Sequence, residues 1–375
     1  MTPAQCAQYN HTRALRAHCD NLHEFNYEEP LRAHGVFELR RRLTRLVEEK
    51  KIDLFFLSIY GDNFLLPLEF LLELKKKTRL VLWCWDDESS FVHHSKYYAQ
   101  AVDAVVTTDY YSLEGYRALG VPAVLCYGNW SVEPRPAPNP VRDIDVSFVG
   151  HRGKADRPEY LDFLAANGIK VQTFGFGSPG GYLKFDELPA LYSRSKINLN
   201  FSRLEEGSAR RLGHKGRTSE VAIRRAFCLS EFYPALPRIF EIGEEIDVFT
   251  DKQTLLEKVR YYLSHDAERE TIAEKAYARA LRDYEDGPYF GRVMEELGAI
   301  FSGPARPAIL VKSPEFKTRQ LVDLILHGCS QLRRGHPGVL VASVPELFQY
   351  GPGAFLRAAA NAIVRALEIL RRKFR

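Results

Sequence analysis

Residues 145–157 read DVSFVGHRGKADR, and this stretch decides the fold that we predict for the chain. Asp145–Val149 has the composition of a buried strand, and Gly150 ends it. A basic turn follows, and Pro158 suits the first position of a helix. A strand that leads through a short turn into a helix is the beginning of a βαβ unit, which is typical of parallel sheets.

The turn itself suggests chemistry. Gly150 and Gly153 allow close backbone approach, and His151, Arg152 and Arg157 are among the basic residues crowded around them. The first turn of a helix offers free N–H groups and a positive dipole end, which suit a phosphate. The stretch therefore indicates a diphosphate cradle, with a solvated basic loop as the alternative.

The same alternation of short apolar runs and amphipathic helices extends on both sides of this stretch, from Ile52 to about Tyr284. It predicts an α/β protein with two Rossmann-like, doubly wound domains facing a cleft. Four prolines within VEPRPAPNPV mark a linker. The predicted parts are an N-terminal domain at 1–131, the linker at 132–141, a second domain at 142–302 and a basic C-terminal extension at 303–375.

A second segment, HKGRTSEVAIRRAF at 214–227, combines two cations with a carboxylate. Lys215 and Arg217 stand just before the helix that carries Glu220, where they can pair with two phosphates. Glu220 can accept hydrogen bonds from two sugar hydroxyls, as acids do in other nucleotide sites. The alternative is an ordinary helical ion pair between Glu220 and Arg224.

A third segment, LWCWDDESSF at 82–91, ends a predicted strand with two tryptophans and three acids. Sugars stack on aromatic faces, and Asp86 or Asp87 could act as general base toward an acceptor hydroxyl. The alternative is a helix N-terminus that is merely rich in Asp, Glu and Ser.

The composition excludes several classes of protein. The formal net charge is +4, but residues 303–375 hold twelve Lys/Arg and four Asp/Glu, which leaves −4 for the rest. An acidic body argues against nucleic-acid binding. We find no transmembrane run, no signal peptide and no Cys-x-x-Cys pair, and therefore expect a cytoplasmic protein with reduced thiols.

Several segments together resemble CgeB-like (spore maturation protein type) group-1 glycosyltransferases. The similar pieces in the second half are SFVGHRGKADR, SKINLNF, KGRTSE and AFCLSEFYPALPRIFEIGEEI, followed by LLEKVRYYLSHDAERETIAEKAYARALRDY. In the first half they are WCWDDESSF and VVTTDYYSLEGYRALG. The resemblance covers roughly residues 50–300 and keeps the segments in the same order.

The resemblance implies a GT-B fold, a nucleotide-sugar donor bound by the second domain and an acceptor bound by the first. It places Lys215, Arg217 and Glu220 on donor-site positions, Gly150 and Arg157 on the first loop, and Glu231 on an acidic position after the next strand. It also implies transfer without a bound metal or other cofactor. The acceptor would be a hydroxyl, for example on a cell-surface glycan or a lipid-linked precursor.

Two departures from the family pattern keep other functions open. Arg224–Ala226 stand where the family usually has glycines, and Leu212 stands where related retaining enzymes carry an acid. The stereochemistry is therefore open, and a non-catalytic sugar-nucleotide-binding or scaffold protein is the first alternative. A sugar-nucleotide epimerase of similar architecture is the second, since a fold does not determine a function.

Residues 353–375, GAFLRAAANAIVRALEILRRKFR, predict a cationic amphipathic helix. One face carries Leu356, Ile363 and Leu367, and basic residues lie on the other face and at the end. Such a helix can lie in an anionic membrane surface, which would place the protein peripherally on the inner face of the cytoplasmic membrane. The alternative is that the helix packs on the protein.

Overall fold

A computed structural model of the chain describes residues 12–59, 66–127, 136, 138–184, 187–203, 212–308, 313–335, 337–342 and 344–373. The chain forms two compact units. We call Met1–Leu22 with Cys126–Glu295 the five-stranded unit, and His23–Leu125 with Glu296–Arg375 the four-stranded unit. The predicted linker lies in part outside the described residues, and the predicted domain limits stay a prediction.

The four-stranded unit is built on a parallel sheet whose strands follow one another in sequence order. Each strand is a short apolar run, as expected where helices cover a parallel sheet. The strands are β1 Leu54–Ile59, β2 Arg79–Cys84, β3 Ala104–Thr107 and β4 Ala123–Leu125.

Helices from both ends of the chain surround this sheet. A single apolar cluster joins the strands to the helix before them and to the C-terminal helices, including Leu39, Leu82 and Ala358. The helices are Glu28–Lys50, Leu68–Lys75, Asp87–Ser90, Phe91–Ser95 (π), Lys96–Tyr98, Ala99–Ala101 (3₁₀), Tyr110–Ala118, Pro314–Arg333, Pro337–Ala342, Val344–Leu347 and Pro352–Lys373.

The start of this unit differs from the sequence pattern. His23–Asn26 looks like a strand in the sequence, but these residues are irregular and lead into helix Glu28–Lys50. That helix buries Val36, Leu39 and Leu43 at helical spacing. The stronger helical pattern therefore organises this region, and four residues without a strand neighbour do not form a strand.

The five-stranded unit has a parallel sheet with the order β6-β5-β7-β8-β9. These strands are β5 Ile144–Val149, β6 Val171–Phe174, β7 Ser195–Asn200, β8 Cys228–Glu231 and β9 Asp247–Phe249. Its helices are Thr12–Arg16, Arg157–Ala166, Glu187–Arg194, Arg217–Ala222, Leu236–Arg238 (3₁₀), Lys252–Ser264 and Asp266–Asp283, and helix Asp286–Ser302 contains the boundary between the units.

Both sheets are parallel and alternate with helices, which confirms the predicted α/β class with two Rossmann-like units. None of the helices in the described part of the chain is long and apolar enough to cross a membrane.

Candidate active site

The strand order of the five-stranded unit places a switch point between β5 and β7. From β5 the sheet first grows to one side with β6 and then to the other side with β7, β8 and β9. In open parallel sheets, ligands bind beyond the carboxyl ends of the strands at such a point. Gly150 follows β5, and Ser202 and Arg203 lie just beyond β7.

Gly150 is held by the end of the neighbouring strand. Its N–H donates to the Phe174 carbonyl at 2.8 Å, and its φ is +150°, which favours glycine. Gly175 lies so close that a Cβ on it would be 2.6 Å from the Gly150 oxygen. The two glycines therefore let two strand ends approach without side chains between them.

Arg157 begins the helix that follows this turn and is only 4% exposed. Its guanidinium lies 5.6 Å from the centre of the Phe148 ring, and its Nη1 donates to the His151 carbonyl at 2.9 Å. Its Nε is buried without a hydrogen-bond partner. Burial, together with the charge of Arg217, lowers the pKa of Arg157 to about 10, so it stays charged at neutral pH.

Arg217 converges on the same place from the KGRTSE segment. Its guanidinium lies 5.3 Å from the centre of the Phe148 ring, and its Nη1 donates to Asn200 Oδ1 at 3.0 Å. The Nε of Arg217 is also buried without a partner. Two guanidiniums thus share one aromatic ring beside Gly150, and neither pairs with a carboxylate in the part of the chain that the structure describes.

Glu220 lies one turn further along the same helix and is partly exposed. Its Oε2 accepts a hydrogen bond from the Tyr192 hydroxyl at 2.7 Å. Burial raises the pKa of Glu220, while the charges of Arg217 and Arg224 oppose that rise. Lys215, the other predicted donor-site cation, is partly exposed and precedes Arg217 by two residues.

Glu231 is almost fully buried at the end of β8 and binds the loop after β7. Its Oε2 accepts from the backbone N–H groups of Ser202 and Arg203 at 2.9 and 3.0 Å. Its Oε1 accepts from Arg203 Nη2 at 2.9 Å, and Arg203 also pairs with Asp156, next to Arg157. Glu231 therefore joins the ends of β7 and β8 to the turn that carries Arg157.

Two histidines border the site. His151 is exposed, and its ring packs 4.6 Å from that of Phe176. His214 has hydrogen bonds to the Tyr233 hydroxyl at 2.7 Å and to the Tyr127 carbonyl at 3.0 Å. Burial lowers the pKa of His214 to about 4, so the ring is neutral. Since a carbonyl only accepts, Nε2 carries the proton and Nδ1 accepts from Tyr233.

The segment that departs from the family pattern keeps an unusual backbone. Arg225 has a φ of +54°, a left-handed conformation that is uncommon for a residue with a side chain. Its guanidinium pairs with Glu274 and lies 4.9 Å from the centre of the Tyr277 ring. The backbone that a glycine would favour is thus present here with an arginine, held by contacts to the helix Asp266–Asp283.

The predicted acidic pair lies at the carboxyl end of β2 in the four-stranded unit. Trp85 is half-buried, with its Nε1 donating to Ser58 Oγ at 2.8 Å and its carbonyl accepting from Thr108 Oγ1 at 2.6 Å. Asp86 follows and is exposed. Neighbouring strands thus fix the turn on which the Asp86 carboxylate stands.

Asp87 has a different environment from Asp86. It is buried, and its carboxylate accepts hydrogen bonds from three hydroxyls, those of Ser95, Thr107 (2.6 Å) and Tyr116 (2.8 Å). Burial raises the pKa of Asp87, and these hydrogen bonds oppose the rise. Asp87 therefore links β3 and two helices beneath the turn, whereas Asp86 faces solvent.

Metal ligands are not grouped in the described ranges: no three His, Cys, Asp or Glu side chains there could hold an ion together. Transfer without a metal stays a prediction.

Several residues of the site have no signal of their own in the sequence. Gly175, Asn200, Tyr192 and Arg203 contact the predicted residues, but they lie 17 to 28 residues away from them in the sequence. Only the order of the parallel strands brings them together. Asn200 could have been found from SKINLNF, because an asparagine at the end of a buried strand places a polar group at the sheet edge.

Residues 157–286 match the model of a family described as glycosyl transferase-like. This range contains Arg157, Lys215, Arg217, Glu220 and Glu231. No curated protein matches the chain in sequence.

Solved structures of glycosyltransferases have a similar fold. HepE of Anabaena in complex with UDP has a TM-score of 0.52 at 13% identity, over 70% of this chain and 82% of that one. A glycosyltransferase from Rickettsia africae ESF-5 has a TM-score of 0.52 at 9% identity, over 76% and 85%. Sucrose-phosphate synthase of Thermosynechococcus elongatus has 0.50 at 12%, over 72% and 80%.

At these identities the likeness concerns the fold, which is the predicted GT-B type. Together with the family match, it supports an enzyme of the glycosyltransferase class. The CgeB-like subtype remains a resemblance in sequence.

Proposed function

We propose that the chain transfers a glycosyl unit from a nucleotide-sugar donor to a hydroxyl acceptor and binds the donor's diphosphate beside Gly150. The observation that carries this proposal is the pair formed by Arg157 and Arg217. Both guanidiniums lie over Phe148, and both keep a buried Nε without a partner. Arg157 is buried and Arg217 is half-buried, and cations in such places are costly unless anions compensate them. A diphosphate supplies two negative charges.

The proposal agrees with the ligands of a solved protein that has a similar fold. HepE has been solved with UDP and with UDP-glucose. We propose a donor of the same class here, a sugar joined to a nucleoside diphosphate, and leave its base and sugar to experiment. Lys215 and the exposed His151 would add donors around the phosphates, and Glu220, oriented by Tyr192, would bind hydroxyls of the ribose or the sugar.

Catalysis would rest on orientation and on electrostatic stabilisation of the leaving group. The acceptor oxygen bonds to the anomeric carbon, while the bond from that carbon to the diphosphate oxygen breaks. The electron pair of the broken bond leaves with the diphosphate, where Lys215, Arg157 and Arg217 stabilise it. We propose that Glu231 acts on this step by positioning Arg203 and the turn before Arg157.

The acceptor hydroxyl must lose a proton. In an inverting transfer, Asp86 is our candidate for the general base, because it is exposed on a turn that neighbouring strands fix. We propose that Asp87, with its three hydroxyl partners, contributes by holding that turn. The acceptor that we propose is a cell-surface glycan or a lipid-linked precursor, reached from the cytoplasm at the inner face of the membrane.

A binding protein without catalysis is the second candidate. Arg224–Ala226, with Arg225 in a left-handed conformation, stand where the family that the chain resembles usually has glycines, and Leu212 stands where related retaining enzymes carry an acid. Neither change touches Arg157 or Arg217, so donor binding would persist while transfer is lost.

One experiment separates these candidates. Thermal shifts with UDP-, GDP-, dTDP- and CMP-sugars identify the nucleotide, and slow release of the nucleotide product without acceptor then reports catalysis. The enzyme predicts both a shift and release. A thermal shift without release of nucleotide from any nucleotide-sugar would favour the binding protein without catalysis. The absence of a thermal shift with every nucleotide-sugar would contradict the proposal.

A further inference from the structure

The last helix, Pro352–Lys373, has two faces with opposite burial. Ala354, Ala358 and Ala362, spaced by four residues, are buried at 7%, 0% and 3% exposure. Leu356 and Ile363 lie on the opposite face, where they are 67% and 63% exposed. Residues spaced by four or seven share a helical face, so each set forms a continuous stripe.

The alanine stripe explains how the helix is held. It belongs to the apolar cluster of the four-stranded unit, and the helix packs against Pro314–Arg333. Small side chains allow this close approach. The helix thus packs on its own unit and still exposes its larger apolar residues. Packing on the protein and binding to a membrane surface, the two alternatives for this helix in the sequence, therefore do not exclude each other.

Further apolar residues are exposed on this helix and in the segment before it. Val364 and Leu367 are 55% and 53% exposed on the helix itself. Before the helix, Val341 and Phe348 are exposed, and the Phe348 ring lies 4.8 Å from that of Phe355 at the helix start. We call the exposed apolar residues Val341, Val344, Phe348, Leu356, Ile363, Val364 and Leu367 the apolar surface. So many exposed apolar residues within 27 positions, 341–367, suggest a contact site.

The charge of the same segment is strongly positive. Residues 303–375 carry a net charge of +8, while the rest of the chain carries −4. Arg333, Arg334 and Arg357 are exposed on the described part, and the sequence ends with further basic residues at 371–373 and 375. A partner that is both apolar and negatively charged therefore fits this segment best.

We infer that the apolar surface binds an anionic lipid bilayer, with the last helix lying in the plane of the headgroups. Apolar side chains enter the acyl boundary and basic residues pair with lipid phosphates, the usual arrangement of such helices. A second copy of the chain fits less well, because it would bring two segments of net positive charge together. This inference rests on the peripheral location proposed above and adds the surface that produces it.

Vesicle sedimentation of the full chain tests this inference. We expect binding to vesicles of phosphatidylcholine that contain about one third of the anionic lipid phosphatidylglycerol. We expect little binding to vesicles of phosphatidylcholine alone. Replacing Leu356, Ile363 and Leu367 by serine should weaken binding by about a hundredfold or more, since three apolar side chains leave the bilayer. Replacing Arg371, Arg372 and Lys373 by glutamine should weaken it by roughly a hundredfold.

The matched control replaces three exposed apolar residues of the five-stranded unit, Val141, Tyr182 and Tyr261, by serine. That variant should bind vesicles like the unchanged chain.

Equal vesicle binding by the two serine variants, or no preference for anionic lipid at low salt, would overturn the inference. A concentration-dependent dimer that the Leu356/Ile363/Leu367 variant loses, without vesicle binding, would assign the surface to a second copy and also overturn it. Nucleotide affinity, measured in parallel, reports on the donor site alone, so failure of one proposal is distinguishable from failure of the other.

Discussion

The Arg217 guanidinium lies directly against Gly150: a Cβ built on Gly150 would be 3.0 Å from Arg217 Nη2. The glycine also has a φ of +150°, which residues with a Cβ rarely adopt. The donor-site turn thus depends on the absence of a side chain for its backbone and for the position of a cation.

Gly150→Ala should therefore weaken nucleotide binding by about 1 kcal/mol or more, as Arg217 is displaced, and lower the unfolding free energy by roughly 1–3 kcal/mol. Gly168→Ala is the matched control, because Gly168 has a φ of +80° but nothing within 4 Å of a Cβ. It should lose stability and keep its nucleotide affinity. Calorimetric titration of both variants checks this, and equal affinities would separate Gly150 from the donor site.

Glu220→Gln should lower donor binding or turnover and leave the unfolding free energy nearly unchanged. The amide can still accept from the Tyr192 hydroxyl, which lies 2.7 Å from Oε2, but it lacks the charge that grips sugar hydroxyls. Tyr192→Phe should give a smaller loss of turnover, because it removes only the orienting hydrogen bond. Steady-state kinetics and urea unfolding separate these effects. A variant that loses stability but keeps full turnover would assign Glu220 a structural role.

His214 should make the fold sensitive to mild acid. Its pKa is about 4 in the folded chain, below the value of 6.5 for an unperturbed histidine. The unfolded state therefore binds the proton first, and stability should fall as pH drops from about 6.5 to 4, by about 2–3 kcal/mol in total. His214→Gln should remove this part of the pH dependence. Urea unfolding at several pH values checks the slope, and an unchanged slope in the variant would contradict the assignment.

Asp86→Asn and Asp87→Asn should differ in what they change. Asp86 is exposed, so its replacement should reduce transfer and leave donor binding and stability intact. Asp87 accepts from three hydroxyls in a buried site, so its replacement should cost about 1–3 kcal/mol of unfolding free energy. Transfer assays and unfolding curves for both variants test this division. Full transfer activity in Asp86→Asn would exclude Asp86 as the base.

The sequence predicted the parts of the fold that have a strong local pattern. Ala104–Thr107 and Arg79–Cys84 are short apolar runs between turns, a pattern that favours buried strands, and both form strands in the structure. His23–Asn26 has too few residues for its pattern to decide, and the chain is irregular there. Order within a sheet is set by long-range pairing, so the position of β5 between β6 and β7 had no local signal.

The candidate site follows the same division. Gly150, Arg157 and Arg217 stand out because glycines and cations cluster at strand–helix junctions. The residues that hold them in place do not stand out in the sequence. Gly175 packs on Gly150, and Asn200 accepts a hydrogen bond from Arg217, only once the sheet has folded. The sequence also left the burial of Asp86 and Asp87 undecided, because adjacent residues at a turn point in different directions and only the packed neighbours determine which is covered.

Nucleotide binding by Arg217→Ala is the most direct test of the account. Arg217 pairs with no carboxylate in the described ranges and contacts Phe148 and Asn200, so the fold should survive its loss. Calorimetric titration with the nucleoside diphosphate that the thermal-shift screen selects should show affinity weakened by ~1.5–3 kcal/mol, the scale of a charged hydrogen bond. Arg194→Ala, which breaks an exposed ion pair with Asp143, should bind like the unchanged chain. Unchanged affinity in a folded Arg217→Ala variant would contradict the claim that this turn holds the donor's diphosphate.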